Sequence, residues 1–333
     1  MESRHKEARH GVNLGGWLIL ERWMTPSLFQ GVDGDDEYSF MQSENAEERL
    51  RQHRDRFMTE EDWQWLANNK VDLVRLPVGY WVLQDDPPFI NAAKYLDWAF
   101  AMAHKYHIEI LLDLHALKGS QNGHVHSGRY GEVRWQQYWD KHLTTLEALV
   151  NRYKDAPALW GLEIINEPKV FGNYWALRRL YRAAYRKIQL MLPPKVYFIF
   201  QDGFAPPLFS GVIRNNRTPV PMMDTHFYLF AGKILSRLRP ETYDAIRGWV
   251  YGSILRLTRR QQPVIVGEWS AVLPQPMFNR QPGSEHLAMV AATIRRQRKA
   301  YRHAHATFYW NYKTEGRGMY NYRSLVEDGY ISS

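Results

Sequence analysis

Short apolar segments alternate with longer helical patterns along almost the whole chain. The short segments are rich in β-branched and aromatic residues, and this alternation is typical of βα units around a parallel sheet. The predicted strands cover residues 11–17, 71–78, 108–115, 159–167, 196–202, 221–228, 263–269 and 306–312, and the predicted helices cover residues 60–69, 91–107, 132–153, 174–191, 241–261 and 284–302. Strict alternation over eight strands favours an α/β fold closed into a (β/α)8 TIM barrel over an open doubly wound sheet.

The chain has no linker and no change of composition that would divide it into two domains. A barrel takes about 250 residues, and the remainder of the 333 residues is enough for its loops. We therefore predict a single domain over residues 1–333, with residues 1–10 as a flexible N-terminal segment. The two prolines Pro206 and Pro207 predict a short or irregular helix after the fifth strand.

The chain carries 43 Lys and Arg against 35 Asp and Glu, a formal net charge of +8. This excess could serve an anionic partner, but most of it lies in the basic runs at 178–187, 256–262 and 295–303. These runs are typical of solvated helix faces, and no nucleic-acid-binding motif accompanies them. We therefore expect no nucleic-acid partner.

The chain contains no cysteine, which excludes disulfides, thiolate metal sites and cysteine nucleophiles. The polar start of the sequence does not read as a secretory signal, so we expect a cytoplasmic protein, or a secreted one if a leader has been removed. No apolar run has the length of a membrane span. The amphipathic stretch 251–260 is compatible with peripheral membrane contact, although the outer helix of a barrel has the same pattern and is the reading we favour.

Two predicted strands each deliver a glutamate near the C-terminal tip, in the strings LEIINEP and VIVGEWS. These glutamates are Glu167 and Glu268. Acid-assisted cleavage of a glycosidic bond needs two carboxyl groups, because one must donate a proton while the other remains ionised. The pair therefore indicates a sugar hydrolase.

Other polar or aromatic residues also stand at predicted strand tips. In a (β/α)8 barrel these tips face the active site. A single histidine or tryptophan would more often be an ordinary buried residue, but a core has no use for so many titratable groups at one end. Glu163, four residues before Glu167, is assigned to a buried ion pair with Arg75. The tip residues are Arg75, Asp113, His115, Asn166, Glu167, His226, Tyr228, Glu268 and Trp310.

Several longer strings carry a family resemblance. They are GVNLGGWLILERWMTPSLF, VDLVRLPVGYW, DLHALKGSQNG, LEIINEP, DTHFY, VGEWS and FYWNYKTE, in this order from about residue 11 to residue 315. Together they resemble the exo-β-1,3-glucanase branch of glycoside hydrolase family 5. The NEP and GEWS strings alone would indicate only the broader clan of retaining (β/α)8 glycosidases, whereas NLGGWL and GSQNG are more specific.

The resemblance implies a role for each matching residue. Glu167 resembles the general acid/base and Glu268 the nucleophile of a double displacement with retention of configuration. Arg75 and Tyr228 resemble groups that hold the nucleophile. The remaining matches are implied to bind substrate: Asn166 at the sugar 2-hydroxyl, His115 and His226 in the same subsite, Trp310 as an apolar platform, Glu21 at the terminal glucose, and Asn122 within the GSQNG string.

The chain departs from the secreted fungal members of this branch around the entrance to the site. Arg22 and Trp23 follow Glu21, residues 116–118 read Ala-Leu-Lys, and His124 and His126 replace an aromatic residue and an asparagine. Since these positions border the leaving-group side, linkage and chain-length preference stay open. The reaction as implied needs no metal and no cofactor.

Three functions remain as alternatives. The first is a hydrolase that releases glucose from β-1,3-glucan or β-gluco-oligosaccharides. The second is a transglycosylase that uses the same glutamates to pass the glycosyl group to a sugar or lipid-linked acceptor. The third is a carbohydrate-binding barrel without turnover, which the intact pair of glutamates argues against.

Overall fold

The computed structural model describes residues 8–213, 221–228, 238–272 and 284–331. Eight parallel strands close into a barrel in the order of the sequence, with the first strand paired to the last. The strands are β1 (Arg9–Asn13), β2 (Leu73–Gly79), β3 (Glu109–Ala116), β4 (Leu159–Glu163), β5 (Tyr197–Gln201), β6 (Pro221–Phe227), β7 (Val264–Trp269) and β8 (Ala306–Tyr309). The predicted (β/α)8 barrel is therefore confirmed.

Helices surround this sheet. They are α1 (Glu37–Phe40), α2 (Ala46–Phe57), α3 (Glu60–Asn68), α4 (Ala93–Lys105), α5 (Trp139–Tyr153), α6 (Tyr174–Ile188), α7 (Pro206–Phe209), α8 (Pro240–Thr258), α9 (Ser284–Tyr301) and α10 (Tyr322–Glu327), with 3-10 turns at Pro26–Phe29, Val125–Ser127 and Trp135–Tyr138. Every predicted helix is present, and α7 is the short helix expected after the fifth strand. None of the helices in the described ranges combines the length and the apolar composition that a membrane crossing needs.

Within the described ranges, three helices were not predicted. The helices α1 and α2 lie in the connection between β1 and β2, and α10 follows β8. The helix expected over residues 132–153 begins only at Trp139, after a 3-10 turn. Residues 1–7 of the predicted flexible segment lie outside the described residues, but Arg9 and His10 pair with β8, so that part of the prediction is wrong.

Side chains alternate along the strands between the inside of the barrel and the surrounding helices. One apolar cluster, which includes Leu73, Leu111 and Met222, is separate from the large core between sheet and helices. Two residues further along the same strands stand the buried charged residues Arg75, Asp113 and Asp224. The barrel interior therefore changes from apolar at the amino ends of the strands to polar at the carboxyl ends, where the site lies.

Several strands end earlier than predicted. β4 ends at Glu163 instead of residue 167, β1 at Asn13 instead of residue 17, and β8 at Tyr309 instead of residue 312. The pattern of apolar residues continues past each strand end because Leu14, Ile164 and similar residues are buried without being part of the sheet. These segments were predicted as strand because their residues are apolar, but the residues are buried in turns.

The segment after β1 packs closely against the segment after β8. The side chain of Asn311 accepts a hydrogen bond from the Gly15 N–H at 2.9 Å and donates to the Gly15 carbonyl at 2.8 Å. A Cβ atom at Gly15 would lie 2.8 Å from the ring of Trp310, so a larger residue would displace that ring. The lack of a side chain at Gly15, in the NLGGWL string, therefore leaves the space that the ring of Trp310 occupies.

Candidate active site

The side chain of Glu268 is aimed into the barrel by an irregularity in β7. The register of β6 with β7 shifts between Thr225 and His226, so His226 pairs with Glu268. Such a bulge re-aims a side chain. The N–H of Gly267 donates to Asp224 Oδ1 at 2.5 Å, and a Cβ atom at Gly267 would lie 1.9 Å from Asp224 Oδ2. Only glycine fits beside this carboxylate.

Glu167 stands beyond the end of β4 with a positive φ of 41°. Non-glycine residues rarely adopt this conformation, and such strain is concentrated at functional sites. The turn directs Glu167 across the barrel toward Glu268. Side-chain oxygens of Glu167 and Glu268 and one nitrogen of His226 all lie within 4.8 Å of one another.

Arg75 occupies the centre of the polar layer. Its Nε donates to Glu163 at 2.8 Å, its Nη1 to Glu268 at 2.8 Å, and its Nη2 lies 3.0 Å from Asp113. Side-chain oxygens of Asn13 and Asn166 complete the set at 3.1 and 2.9 Å. The predicted pair of Arg75 with Glu163 is confirmed, and Arg75 also binds Glu268 directly.

The environment of Glu268 contains groups that oppose one another. Burial and the charge of Glu167 raise its pKa, while His226 and Arg75 lower it, and the pKa is raised overall. The hydroxyl of Tyr228 donates to Glu268 Oε2 at 2.6 Å. Arg75 and Tyr228 thus contact different oxygens of the carboxylate and fix its orientation.

The pKa values of Glu167 and His226 are shifted in opposite directions. Burial raises the pKa of Glu167, but the hydrogen bond to His226 and the charge of the neighbouring imidazoles outweigh it and lower that pKa to about 2. Burial lowers the pKa of His226, but Glu268 and Asp224 raise it well above its ordinary value. His226 Nδ1 lies 2.7 Å from Glu167 Oε1, and Nε2 lies 3.1 Å from Asp224. These opposite shifts favour a proton on His226 Nδ1 over one on Glu167 Oε1.

A second chain of hydrogen bonds orients Asn166. His115 Nδ1 lies 2.6 Å from Asp113 Oδ2, and His115 Nε2 lies 3.2 Å from Asn166 Nδ2. If Nδ1 donates to the carboxylate, Nε2 is left to accept from the amide. Because Arg75 donates to the oxygen of Asn166, the amide is held on both sides. The ring of His115 also stacks on Trp310, with centroids 5.8 Å apart.

These residues surround a cavity of about 600 Å³. Its walls consist of Glu21, Trp23, His115, His124, Val125, His126, Asn166, Glu167, Phe204, Tyr228, Glu268, Trp310 and Tyr320. The Nε1–H of Trp23 donates to Glu21 at 3.0 Å. Burial raises the pKa of Glu21 to about 7 despite that hydrogen bond, so near neutral pH its carboxyl group can both donate to and accept from a hydroxyl.

Most of the predicted site residues line the cavity, but three of them do not. Arg75, Asn122 and His226 lie behind the wall and contact residues that line it. Asn122 donates to the Glu167 carbonyl at 2.9 Å, so it supports the turn that carries the carboxyl group. The catalytic and substrate-binding roles predicted for the ten residues stay predictions.

Sequence reasoning missed three wall residues, Val125, Phe204 and Tyr320. Phe204 follows β5 and has a φ of 64°, and the apolar character of its segment gave no reason to place it at a tip. Tyr320 lies in the connection between β8 and α10 and packs against Trp23 with ring centroids 5.0 Å apart. No local pattern in the sequence indicates that this connection returns to the cavity.

Among the residues that the structure describes, two groups of side chains lie close enough to hold a cation. One is Glu167, His226 and Glu268, and the other is Glu163, Asp224 and His226. Arg75 already supplies a positive charge to Glu163 and Glu268, and both nitrogens of His226 are within hydrogen-bond distance of carboxylates. The guanidinium of Arg75 and the imidazole of His226 are therefore the partners that these carboxylates contact in the structure.

A closed barrel with two facing carboxyl groups at its C-terminal end defines a class of protein, the (β/α)8 glycosidases. The chain belongs to glycosyl hydrolase family 5. The family model described as Cellulase (glycosyl hydrolase family 5) matches residues 41–315. The family predicted from the sequence strings is therefore confirmed.

Relatives and solved structures resemble the chain over most of its length. A probable glucan 1,3-beta-glucosidase A of Aspergillus niger is 33% identical over 277 residues, which are 79% of this chain and 65% of that protein. The corresponding protein of Emericella nidulans is 35% identical over 80% of this chain and 68% of its own length. A crystal structure of rutinosidase from Aspergillus niger has a TM-score of 0.82 at 21% identity and covers 98% of both chains, which shows a shared fold.

Proposed function

We propose that the protein is a retaining β-glucosidase-type glycoside hydrolase that removes glucose from the end of β-1,3-glucan or β-1,3-gluco-oligosaccharides. The observation that carries this proposal is the approach of Glu167 and Glu268, with carboxyl oxygens within 4.8 Å. Retaining enzymes place these groups about 5 to 5.5 Å apart, whereas inverting enzymes leave about 6.5 to 9.5 Å for a water molecule. Relatives that carry the name glucan 1,3-beta-glucosidase support the linkage.

The reaction takes place in two displacements. In the first, Glu268 attacks the anomeric carbon while Glu167 gives its proton to the leaving oxygen, and the sugar becomes an ester of Glu268. In the second, Glu167 takes a proton from water, the hydroxide attacks the anomeric carbon, and the ester bond breaks to release Glu268. Since each step inverts the anomeric centre, the product keeps the β configuration.

The surroundings assign different tasks to the two glutamates. Arg75 and Tyr228 both contact Glu268 and favour its ionised, attacking form. Glu167 instead faces His226, from which it can receive the proton that the leaving group needs. Asn166 lines the same cavity, and its amide, held by Arg75 and His115, is the group we assign to a substrate hydroxyl.

Removal of a terminal residue is supported by the position of Glu21. Its side chain is almost fully buried yet lines the cavity, and Trp23 holds one of its oxygens. A buried carboxyl group pairs best with hydroxyl groups, which a terminal glucose presents in larger number than an internal one.

The proposal is tested by measuring glucose release from laminaribiose, cellobiose and gentiobiose, which differ in linkage. We expect the highest kcat/KM on laminaribiose. Glu268→Ala should lose about 10⁴-fold or more in kcat. Glu167→Ala should lose about 10² to 10⁴-fold on laminaribiose but much less on a dinitrophenyl glucoside, whose leaving group needs no acid.

Glu47→Ala is the matched control, because Glu47 is an exposed glutamate on α2 whose ion pair with Arg51 lies on the surface. We expect it to retain wild-type activity. Normal turnover in Glu268→Ala, or equal losses of Glu167→Ala on both leaving groups, would contradict the assigned roles. A preference for cellobiose or gentiobiose would contradict the linkage.

Transglycosylation is the second candidate, and two exposed aromatic residues favour it. Trp23 and Phe204 line the cavity yet are 44% and 55% exposed. Aromatic faces of this kind can bind an acceptor sugar next to the covalent intermediate. If the acceptor site competes with water, trisaccharides accumulate at high laminaribiose concentration.

A further inference from the structure

We infer that the protein binds a β-glucan chain in a second cavity, beside the catalytic cavity at the same end of the barrel. The inference rests on the proposed function for the class of its ligand. The second cavity has a volume of about 490 Å³, against about 600 Å³ for the catalytic cavity. Residues that follow β1, β2 and β3 form its walls, which include Tyr38, Asp86, Lys118, Arg129, Tyr130 and Tyr138.

The loop after β3 separates the two cavities. Val125 and His126 line the catalytic cavity, whereas Ser127, Arg129 and Tyr130 line the second cavity. The two cavities are therefore neighbours, and one loop supplies a wall to each. This arrangement suits a polymer, because one part of it can be held in the second cavity while a chain end occupies the catalytic cavity.

Backbone contacts fix the shape of the second cavity. The Tyr38 N–H donates to the Gly128 carbonyl at 2.9 Å, and the Tyr130 N–H donates to Asp36 Oδ2 at 2.5 Å. Gly128 has a φ of 82°, and a Cβ atom there would lie 2.5 Å from the ring of Trp81. Walls that are already in place lower the entropic cost of binding a ligand.

An ion pair inside the second cavity offers both donors and acceptors. Lys118 Nζ lies 2.8 Å from Asp86 Oδ2, and it stands over the rings of Tyr80 and Tyr138 at 5.8 and 5.4 Å from their centroids. An ammonium group donates up to three hydrogen bonds and a carboxylate accepts several, so the pair can also bind hydroxyl groups. Lys118 is one of the positions where the chain departs from the secreted fungal members, so the family resemblance does not imply this cavity.

The charges of the second cavity favour a neutral ligand. Lys118 pairs with Asp86 and Arg134 pairs with Glu132, which leaves an excess of one positive charge at Arg129. Asp86 and Glu132 would repel a phosphate or a carboxylate group. The hydroxyl groups of a sugar can instead donate to these carboxylates and accept from the three cations.

Tyr130 gives the second cavity an aromatic wall that a sugar ring can reach. Its side chain is 70% exposed although it lines the cavity. An aromatic face of this kind can pack on the apolar face of a glucose ring, while the hydroxyl groups at the edge of that ring meet Lys118 and Asp86. This combination of ring and ion pair is the basis for assigning an oligosaccharide.

The kinetic test compares laminarin, a polymer, with laminaribiose, which is short enough to be held in the catalytic cavity alone. Tyr130→Ala should raise KM for laminarin about two- to tenfold, the loss of one aromatic contact, and should leave kcat unchanged. Its kcat/KM on laminaribiose should equal that of the wild type. Tyr130→Phe keeps the ring and should retain most of the affinity for laminarin.

Trp249→Ala is the matched control, because Trp249 is 71% exposed on α8 and lines neither cavity. We expect it to behave as the wild type on both substrates. An unchanged KM of Tyr130→Ala for laminarin, or equal losses on laminarin and laminaribiose, would overturn the inference.

Binding is measured separately by electrophoresis through a gel that contains laminarin, with all proteins carrying Glu268→Ala so that the polymer stays intact. We expect laminarin to retard Glu268→Ala and its Trp249→Ala derivative equally, and to retard the Tyr130→Ala derivative less. Equal retardation of all three, or no retardation, would overturn the inference. So would retardation by heparin, a sulfated polysaccharide, without retardation by laminarin.

The two assays also separate this inference from the proposed function. A wild type that releases no glucose from laminarin or laminaribiose would overturn the proposed function, while the gel would still report whether Tyr130 contributes to glucan binding. Normal glucose release with no effect of Tyr130→Ala in either assay would overturn the second cavity alone.

Discussion

Arg75 balances more negative charge than one guanidinium can neutralise. Asp113, Glu163 and Glu268 are all buried around it at 2.8 to 3.0 Å. Burial raises the pKa of Glu163 well above its ordinary value, and Asp113 adds to this against the effect of Arg75. The pKa of Glu163 is raised further than that of Glu268, so of these two carboxyl groups Glu163 is the one that favours a proton more.

The hydroxyl of Tyr228 offers a direct test of how Glu268 is kept ionised. It donates to Glu268 Oε2 at 2.6 Å, and such a bond favours the charged form. Tyr228→Phe should therefore raise the pKa of Glu268 further. Since only ionised Glu268 attacks, activity is lost as pH falls through this pKa, and the acid limb of kcat/KM should move to higher pH by about one unit.

Tyr251→Phe is the control for this prediction. The Tyr251 hydroxyl donates to the Tyr228 carbonyl at 3.0 Å and contacts no carboxylate in the contacts described. We expect its acid limb to coincide with that of the wild type. An unchanged acid limb in Tyr228→Phe would show that the hydroxyl does not tune Glu268.

At the scale of the secondary-structure element, the irregularity in β7 creates the site. A regular strand would send Glu268 to the helix side, because Val264 and Val266 pack in the core outside the barrel while Ile265 faces inward. The register shift places both Gly267 and Glu268 against the interior. The orientation of the Glu268 side chain thus depends on one glycine beside Asp224.

Gly267→Ala should destabilise the fold, because its Cβ would lie 1.9 Å from Asp224 Oδ2. Overpacking of this kind costs about 1 to 3 kcal/mol of the free energy of unfolding, measurable by urea denaturation. Gly248→Ala in α8 is the matched change, since its Cβ would meet only Ala300 at 3.7 Å. Alanine should stabilise that helix by up to about 1 kcal/mol. Equal effects of the two changes would contradict this reading of the bulge.

Element boundaries show where local sequence patterns are informative. The strands β2, β3, β6 and β7 lie within one or two residues of their predicted ranges, because turns or polar residues interrupt the apolar run at each end. The segment 164–167 was predicted as strand because Ile164 and Ile165 are apolar. Both residues are buried, but the segment turns across the barrel mouth instead. Hydrophobicity reports burial, and a buried turn gives the same signal as a strand.

At the scale of the whole molecule, barrel closure turns a list of strand tips into a site. Because parallel strands end at the same edge, the sequence alone could place Asn166, Glu167, Tyr228 and Glu268 together. Strand periodicity does not show which side chains form the cavity wall and which lie behind it, because this depends on the length and direction of each side chain. It also could not give the position of Tyr320, which lies in a long connection after the last strand.

The most direct test of the account is the configuration of the first product. The protein is mixed with an aryl β-glucoside, and proton NMR spectra are recorded before the released glucose equilibrates. Carboxyl oxygens within 4.8 Å predict that the β anomer appears first and the α anomer only later, by mutarotation. Initial release of the α anomer would show direct attack by water and would contradict Glu268 as the nucleophile.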